Sequence, residues 1–308
     1  MSTPEFINIV EVGPRDGIQN ERRIIPLEVK LSLIHRLQQT GLQVIETTGF
    51  VHPLWVPQLA DAERIMDQIK PLPNLRYPVL VPNMKGMERA VAAGAREIAV
   101  FTAASEEFNR KNINCSIDES IERFKPVIDK ARSLDMPVRG YISCVLGCPF
   151  EGDIPVANVV RVAEQLLDIG CYEISLGDTI GVGTPLKARE MYRQVADSVG
   201  VEKLAAHFHD TYGQALANIL ACLELGVKTI DASISGLGGC PYAPGATGNV
   251  ATEDVVYMLH GMGIETGIDL EKLVDTGRFI SDALGRPNAS SVGRAFKPTS
   301  TTGSTHGY

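Results

Sequence analysis

Short apolar stretches of strand length alternate along the chain with longer amphipathic stretches. Residues 6–12 are rich in Ile and Val, whereas residues 26–39 carry apolar side chains at three- and four-residue spacing. The first pattern predicts a β-strand and the second an α-helix. The same pattern predicts further strands at 42–47, 77–81, 97–101, 138–143, 173–176, 204–207 and 228–232.

The amphipathic stretches between these strands predict helices at 84–93, 118–134, 155–169, 185–199 and 214–225. A glycine follows several of the predicted helices, at Gly41, Gly94, Gly170 and Gly226. Glycine just past a helix adopts the left-handed conformation that turns the chain into the next strand. A series of eight such strand–helix units with no break in composition predicts an α/β fold, the closed (β/α)₈ TIM barrel.

The alternative is an open, doubly wound sheet. That fold usually carries a glycine-rich phosphate-binding turn after its first strand, and segment 13–17, Gly-Pro-Arg-Asp-Gly, lacks that pattern. We therefore predict one barrel domain over residues 1–285, with an extra C-terminal helix at 269–283. Residues 286–308 form a polar tail that we expect to be flexible.

The composition is that of a globular protein, with 44% hydrophobic and 21% charged residues. The formal net charge of −8 argues against a nucleic-acid partner, because phosphate contacts require clustered Lys and Arg. An anionic small molecule can still bind in a local basic pocket. No apolar run reaches the length of a transmembrane helix, and no signal peptide is recognised, so we expect no membrane partner and a cytoplasmic location.

Six cysteines in 308 residues do not form a disulfide scaffold, and most are expected to be small buried side chains. Cys240 is the exception, because it lies between a glycine and a proline in a glycine-rich loop at 236–249. Glycines let such a loop hinge and approach a ligand, so the thiol is a candidate general acid or base. The other interpretation is a plain surface connection.

His207 and His209 lie at the end of the predicted strand 204–207. Because side chains in a strand alternate, both imidazoles point to one face and Phe208 to the other. The pair indicates either a divalent-metal site or two unrelated histidines. Asp210 follows on the face opposite the imidazoles and is expected to support the site without binding the metal.

In a barrel, polar residues at the C-terminal ends of different strands meet at one rim, where active sites lie. This rule brings together Glu11, Arg15, Asp16, Glu46, Arg139, Tyr141, Asp178, His207 and His209. Asp16 and the two histidines, with the amide oxygen of Asn249, supply a mixed oxygen and imidazole ligand set. Such a set suits Mg²⁺ or Mn²⁺, and Zn²⁺ is also compatible.

Four segments, in order and at matching spacing, resemble the 3-hydroxy-3-methylglutaryl-CoA lyase family. They are 13–20 (GPRDGIQN), 175–181 (SLGDTIG), 207–214 (HFHDTYGQ) and 238–243 (GGCPYA). The resemblance implies a TIM barrel, a divalent cation, and cleavage of 3-hydroxy-3-methylglutaryl-CoA to acetyl-CoA and acetoacetate. It also implies that the ligand is a small-molecule CoA thioester, and we expect a homodimer or higher homo-oligomer.

The resemblance assigns the metal ligands to Asp16, His207, His209 and Asn249. It assigns catalytic roles to Arg15, Asp16, Glu46, Asp178, His207, Cys240 and Glu253. We expect substrate contacts from Arg15, Gln19, Arg139 and Tyr141. In the implied mechanism Asp16 or His207 accepts the substrate hydroxyl proton, Arg15 stabilises the thioester enolate, and Cys240 returns a proton.

Other functions stay open at this point. A Claisen-type acyl-CoA condensing synthase shares the barrel and the His-x-His pair, but usually carries a regulatory region and lacks the Gly-Gly-Cys-Pro-Tyr loop. A pyruvate-dependent aldolase of similar fold and a non-catalytic metal-binding scaffold are the remaining alternatives. Metal-dependent release of acetoacetate from the CoA ester separates the lyase from all of them.

Overall fold

The computed structural model describes residues 3–21, 23–239 and 248–296. Every strand pairing is parallel, in the order β2-β1-β9-β8-β7-β6-β5-β4-β3. The strands are β1 (Asn8–Glu11), β2 (Val44–Ile45), β3 (Thr48–Gly49), β4 (Val79–Leu80), β5 (Ile98–Ala103), β6 (Val138–Ser143), β7 (Glu173–Asp178), β8 (Leu204–Phe208) and β9 (Thr229–Ala232). Each predicted strand is present, but the second, predicted over 42–47, extends to residue 49 and is divided into β2 and β3.

The sheet closes on itself between β2 and β3. β2 pairs with β1, whereas β3 pairs with β4. Between them the Glu46 amide donates to the Glu11 carbonyl at 2.9 Å, and the Thr47 amide donates to the Pro78 carbonyl on the other side at 3.1 Å. The two ends of the strand order are therefore consecutive parts of one strand, and the prediction of a closed (β/α)₈ barrel is confirmed.

Helices follow the strands and pack against them. They are α1 (Leu27–Leu37), α2 (Ala62–Gln68), α3 (Met84–Ala92), α4 (Glu106–Ile113), α5 (Ile117–Arg132), α6 (Val156–Ile169), α7 (Pro185–Val199), α8 (Ala215–Leu223), α9 (Thr252–Gly261), α10 (Leu270–Leu284) and α11 (Ser291–Ala295). Each helix whose bounds were predicted begins and ends within two residues of those bounds. The sequence pattern did not single out α2, α4, α9 or α11.

The core has two different parts. On the outer layer, α6 buries Val159, Val162 and Leu166 at helical spacing, and these side chains join the main apolar cluster between helices and sheet. Inside the barrel, by contrast, Arg139 and Asp231 are buried polar side chains. Buried charged side chains therefore lie within the barrel and at its rim, while the helices contribute apolar side chains to the core.

The predicted burial of most cysteines is confirmed for the described residues. Cys115, Cys144, Cys148, Cys171 and Cys222 are all buried and form no disulfide. Within the described ranges, no helix has both the length and the apolar character needed to cross a membrane.

The segment predicted as a flexible tail, 286–308, contains the short helix α11 at Ser291–Ala295. The Ser290 hydroxyl donates to Asp254 Oδ1 at 2.7 Å, and the Val292 amide donates to the same oxygen at 2.8 Å. Asp254 belongs to α9, so α11 is fixed to the helix that follows the last barrel strand. Residues 297–308 lie outside the described residues.

The glycines predicted as left-handed caps all have positive φ, at Gly41 (91°), Gly94 (78°), Gly170 (120°) and Gly226 (97°). Two of them differ in their surroundings. A Cβ on Gly41 would lie 2.1 Å from the Gly267 carbonyl oxygen, whereas a Cβ on Gly94 would meet nothing within 4 Å. The segment beside Gly41 is held in place, because the Asp269 amide donates to the Thr40 carbonyl at 2.7 Å.

This contrast predicts different stability losses for Gly41→Ala and Gly94→Ala. Gly94→Ala should lower the free energy of unfolding by about 1–2 kcal/mol, the cost of placing an L side chain in the left-handed region. Gly41→Ala should lose a further ~1–3 kcal/mol, because the backbone must shift to remove the overlap. Urea denaturation followed by circular dichroism measures both, and equal midpoints would contradict the packing argument.

Candidate active site

Arg15 and Asp16 lie in a short π-helical turn, Gly13–Gly17, that directly follows β1. Glu11, the last residue of β1, accepts hydrogen bonds from the first amide of this turn and from the Ile234 amide, both at 2.8 Å. Burial raises the pKa of Glu11 to about 7. The turn is thereby tied to the segment that follows β9, on the neighbouring strand of the barrel.

Asp16 is surrounded by donors. Its Oδ1 accepts from Arg15 Nη1 at 2.9 Å and from Gln19 Nε2 at 3.1 Å, and its Oδ2 accepts from Asn249 Nδ2 at 2.8 Å. Burial by itself would raise the pKa of Asp16, but Arg15, followed by the two nearby histidines, holds the pKa below its usual value. Asp16 is therefore an ionised carboxylate at neutral pH.

His207 ends the inward face of β8, and His209 follows it on the same face, with ring centroids 5.5 Å apart. Burial, with the neighbouring His207, lowers the pKa of His209 to about 4, so this imidazole is neutral at pH 7. His209 forms an antiparallel bridge with Asn249, which brings the amide beside the pair. Asp210 has a separate task, because its Oδ1 accepts from the Ala215 amide at the start of α8 at 3.0 Å.

The predicted metal ligands Asp16, His207, His209 and Asn249 lie together and are called the metal-ligand cluster below. One ligand atom from each of Asp16, His207 and His209 lies within 4.8 Å of the other two. Asn249 Oδ1 and His209 Nδ1 are buried and have no hydrogen-bond partner among the described residues. Buried polar atoms without partners are rare in folded proteins and call for an ion or a water. A carboxylate, an amide oxygen and two imidazoles fit a divalent cation.

Arg15 is fixed from three directions. Its Nε donates to Glu46 Oε2 at 2.8 Å, its Nη1 to Asp16, and its guanidinium lies 5.4 Å from the Tyr141 ring centroid. Burial would lower the pKa of Arg15, but Glu46 and Asp16 outweigh it and raise the pKa. Burial also raises the pKa of Glu46, because Arg15 offsets that effect only in part. Arg15 is thus a fixed cation beside the metal-ligand cluster.

Asp178 and Glu253 hold turns of the backbone. Asp178 accepts from the amides of Gly183 at 2.8 Å and Val182 at 3.2 Å, and burial raises its pKa to about 6. Glu253 accepts from the Ser235 amide at 2.9 Å, and burial raises its pKa to about 8. Neither carboxylate is among the residues that line the pocket in the described part of the chain. Their contacts are with the loops that shape the rim.

Arg139 lies behind the pocket wall, in contrast to the prediction of a substrate contact. It is 1% exposed, and its Nη1 and Nη2 donate to the two oxygens of Asp231 at 3.0 and 2.7 Å. Its Nε donates to Glu173 at 2.7 Å. Burial would raise the pKa of Asp231, but Arg139, together with His207, holds the pKa well below its usual value. Arg139 is therefore occupied by an internal ion pair.

The pocket above this network has a volume of about 740 Å³. At its base lie Arg15, Asp16, Gln19, Tyr141, Ser175, His207 and His209. At its mouth lie the cations Lys111 and Arg123 and the exposed side chain of Trp55. The pocket therefore joins a polar base, which contains Asp16, His207 and His209, to a cationic and aromatic opening.

Cys240 and the central part of the 236–249 loop lie outside the described residues. The two described ends of the loop meet at the metal-ligand cluster. Gly239 lines the pocket, and its carbonyl accepts from Asn20 Nδ2 at 2.9 Å. At the other end, Asn249 Nδ2 donates to the Leu237 carbonyl at 3.2 Å.

Sequence reasoning did not single out several residues of the site. Asp231 and Ser175 are polar positions within β9 and β7, and this marks them as unusual strand positions without showing which residues they contact. Trp55, Lys111 and Arg123 lie on a loop, on α4 and on α5, and only the folded chain brings them to one pocket mouth. No local pattern marks these three.

The chain is similar to hydroxymethylglutaryl-CoA lyases in both sequence and structure. The hydroxymethylglutaryl-CoA lyase, mitochondrial, of Gallus gallus is 59% identical over 292 residues, which are 95% of this chain and 98% of that protein. The 3-hydroxy-3-methylglutaryl-CoA lyase, cytoplasmic, of Mus musculus is 58% identical over 292 residues, 95% of this chain and 85% of the relative.

Solved structures agree. Hydroxymethylglutaryl-CoA lyase from Pseudomonas aeruginosa has a TM-score of 0.94 and 52% identity, covering 96% of this chain and 98% of that one. An HMG-CoA lyase from Acinetobacter baumannii in complex with coenzyme A and 3-methylmalate has a TM-score of 0.92 and 35% identity, covering 98% and 99%. The model of the HMGL-like family matches residues 6–280. The chain therefore belongs to the HMGL-like family, that of the hydroxymethylglutaryl-CoA lyases.

Proposed function

We propose that the protein cleaves 3-hydroxy-3-methylglutaryl-CoA to acetyl-CoA and acetoacetate with the aid of a divalent cation. The observation that carries this proposal is the cluster of Asp16, His207 and His209 at the base of the pocket, with the fixed cation Arg15 beside it. The relatives with more than half of their aligned residues identical to this chain are named as lyases of this ester. We further propose a role in leucine catabolism and ketone-body formation.

The location and assembly of the protein are also proposals. The names of the relatives include both cytoplasmic and mitochondrial proteins, and we propose the cytoplasm for this chain. We propose a homodimer or higher homo-oligomer, which sedimentation of the purified protein tests directly.

Mg²⁺ or Mn²⁺ is the proposed cation, with Zn²⁺ as a compatible substitute. Asp16 and Asn249 offer hard oxygen donors, and His207 and His209 offer imidazoles. When bound, the cation supplies Lewis-acid polarisation of the tertiary hydroxyl and the carboxylate of the substrate. The low pKa of His209 keeps this ligand neutral, so no proton has to leave it at pH 7.

Arg15 stabilises the negative charge that develops on the thioester oxygen. Loss of the hydroxyl proton leaves an alkoxide. Its lone pair forms the ketone of acetoacetate as the carbon–carbon bond to the thioester arm breaks, and the electrons of that bond form the thioester enolate. Arg15 is held in place by Glu46 and Asp16 before substrate arrives, so little reorganisation is needed as this charge forms. Protonation of the enolate carbon completes acetyl-CoA.

Two proton transfers complete the scheme. Asp16 and His207 both line the pocket base, and Asp16 is the proposed acceptor of the hydroxyl proton, because the two nitrogens of His207 are engaged once it binds the cation. Cys240 is the proposed donor to the enolate carbon, as the family resemblance implies. Gly239, the last described residue before it, lines the pocket. We propose that Asp178, Glu46 and Glu253 act by holding Arg15 and the rim turns in position.

The CoA moiety is proposed to lie at the pocket mouth. Lys111 and Arg123 are cationic, as the phosphates of CoA require, and Trp55 offers an exposed aromatic surface. An HMG-CoA lyase from Acinetobacter baumannii binds coenzyme A and 3-methylmalate together. The polar base and the cationic mouth provide places for a short acid and for CoA in one pocket.

The condensing-synthase and aldolase alternatives are not favoured by the comparisons. Relatives at 58–59% identity are named lyases of this ester, and the carboxyl transferase domain of Rhizobium etli pyruvate carboxylase, at 18% identity and a TM-score of 0.68, shares the fold alone. A panel of bulkier 3-substituted glutaryl-CoA esters would define how far the pocket tolerates other substrates.

The lyase proposal predicts metal-dependent release of acetoacetate. The wild-type chain should release acetoacetate from 3-hydroxy-3-methylglutaryl-CoA, lose this activity with a chelator and regain it with excess Mn²⁺. Asp16→Asn should lower turnover by on the order of 100-fold or more and weaken Mn²⁺ binding, because an anionic ligand is lost. Asp153→Asn is the matched control, since Asp153 is 96% exposed and does not line the pocket. No chelator-sensitive release by the wild type would overturn the proposal.

The role of Arg15 predicts a selective loss in turnover. Arg15→Lys keeps the charge but cannot maintain the paired contacts to Glu46 and Asp16. The value of kcat should fall by about 10²–10³-fold, with a smaller change in Mn²⁺ affinity. Arg110→Lys on the exposed face of α4 serves as the control. Unchanged kcat in Arg15→Lys would remove Arg15 from the charge-stabilising role.

The proposed CoA position predicts an effect on KM. Lys111→Gln removes one exposed cation at the pocket mouth and should raise KM about fivefold, equivalent to ~1 kcal/mol, with kcat unchanged. Lys187→Gln is the control, because Lys187 is an exposed cation on α7 that does not line the pocket. If KM of Lys111→Gln equals that of the control across a range of KCl concentrations, CoA is not held by this side chain.

A further inference from the structure

Asp231 is a carboxylate enclosed within the barrel. It lies on β9, directly opposite His207 of β8, and its side chain is 0% exposed. His207 Nδ1 is 3.1 Å from Asp231 Oδ2, and the Ser175 hydroxyl donates to the same oxygen at 2.7 Å. An ionised carboxylate only accepts hydrogen bonds, so the hydrogen shared with His207 resides on Nδ1.

Arg139 fixes Asp231 in turn. Its guanidinium donates to both carboxylate oxygens, and its Nε donates to Glu173 Oε2 at 2.7 Å. Glu173 Oε1 also accepts from the Thr229 hydroxyl at 2.8 Å. The chain Glu173–Arg139–Asp231–His207 therefore crosses the barrel interior over four consecutive strands, and a two-point ion pair prevents the carboxylate from rotating.

The two imidazoles of the metal-ligand cluster differ in this respect. His207 has its Nδ1 occupied by a buried carboxylate, whereas the buried Nδ1 of His209 has no partner among the described residues. Nε2 of His207 is then the nitrogen left for a ligand bond. A metal-binding histidine is usually oriented through its other nitrogen, which also raises the basicity of the ligating atom.

We propose that Asp231 is a positioning residue that holds His207 in the Nδ1–H tautomer and presents Nε2 to the divalent cation, with Arg139 as its clamp. The inference rests on the metal site of the proposed function. It assigns to Arg139 a role in metal binding that is indirect and that requires no contact with substrate.

The first test is metal binding. Asp231→Asn is nearly isosteric but carries no charge and can present an NH₂ group to His207, which favours the tautomer that cannot bind through Nε2. Calorimetric titration of the purified full chain with Mn²⁺ should show a Kd raised about 10- to 100-fold. Ser175→Ala removes one contact to Asp231 and should raise Kd by a smaller factor.

Glu97→Gln is the matched control. Glu97 is 4% exposed and accepts from Arg76 and Tyr172, away from the metal-ligand cluster. This variant loses a buried, arginine-paired carboxylate, as Asp231→Asn does, so a general loss of stability would weaken Mn²⁺ binding in both. Weakened binding in Asp231→Asn but not in Glu97→Gln supports the positioning role. A Kd equal to that of the wild type in Asp231→Asn, or equal weakening in Asp231→Asn and Glu97→Gln, overturns it.

The second test uses the wild-type chain and needs no variant of Asp231. In metal-free protein labelled with ¹⁵N-histidine, the His207 signals, assigned by their loss in His207→Gln, should show Nδ1 protonated and Nε2 unprotonated. An Nε2–H tautomer would overturn the inference even if Asp231→Asn fails to fold. If wild-type protein neither binds Mn²⁺ nor releases acetoacetate, the proposed function fails, whereas the tautomer result still stands for the His207–Asp231 pair.

Discussion

Glu46 links the closure of the barrel to the charge at the base of the pocket. Its backbone amide completes the hydrogen bonding between the second strand and β1, while its fully buried carboxylate holds Arg15 at 2.8 Å. Arg15 in turn contacts Asp16 at 2.9 Å. Because closure of the barrel fixes the Glu46 backbone, it also fixes the first charged group in the series Glu46, Arg15 and Asp16. Sheet geometry and site electrostatics therefore depend on the same residue.

The buried carboxylates near the rim divide according to their partners. Burial opposes ionisation in all of them, but at Asp16 and Asp231 the contacting arginine outweighs burial and the pKa falls. Glu11, Asp178 and Glu253 accept hydrogen bonds from backbone amides instead, and burial raises the pKa of each. Glu46 is the exception, because Arg15 offsets its burial only in part and its pKa stays raised. Asp16 and Asp231 thus keep their negative charge beside an arginine and an imidazole. Elsewhere a carboxyl group serves to hold a turn.

The sequence predicts those parts of the fold that follow from local periodicity. Each predicted strand and each glycine cap is present, because strand alternation and left-handed helix ends depend on neighbouring residues alone. The cluster of Asp16, His207 and His209 could be predicted from strand ends and the rim rule. The role of Asp231 in the site could not be predicted, because its contact with His207 depends on the register between β8 and β9. Register between distant segments is absent from a local pattern.

Arg139 shows a limit of the rule that polar residues near the C-terminal ends of barrel strands meet at one rim. Alternation places Arg139 and Tyr141 on the same inward face of β6, but two residues along a strand are separated by about 6–7 Å. Tyr141 therefore lines the pocket, and Arg139 lies deeper, where a guanidinium without water requires carboxylate partners. Asp231 and Glu173 provide them at 2.7 Å each. The position of a charged side chain along the strand, and not its residue type or face, therefore decides its role. A side chain near the rim faces the substrate, whereas a deeper side chain orients a residue that faces the substrate.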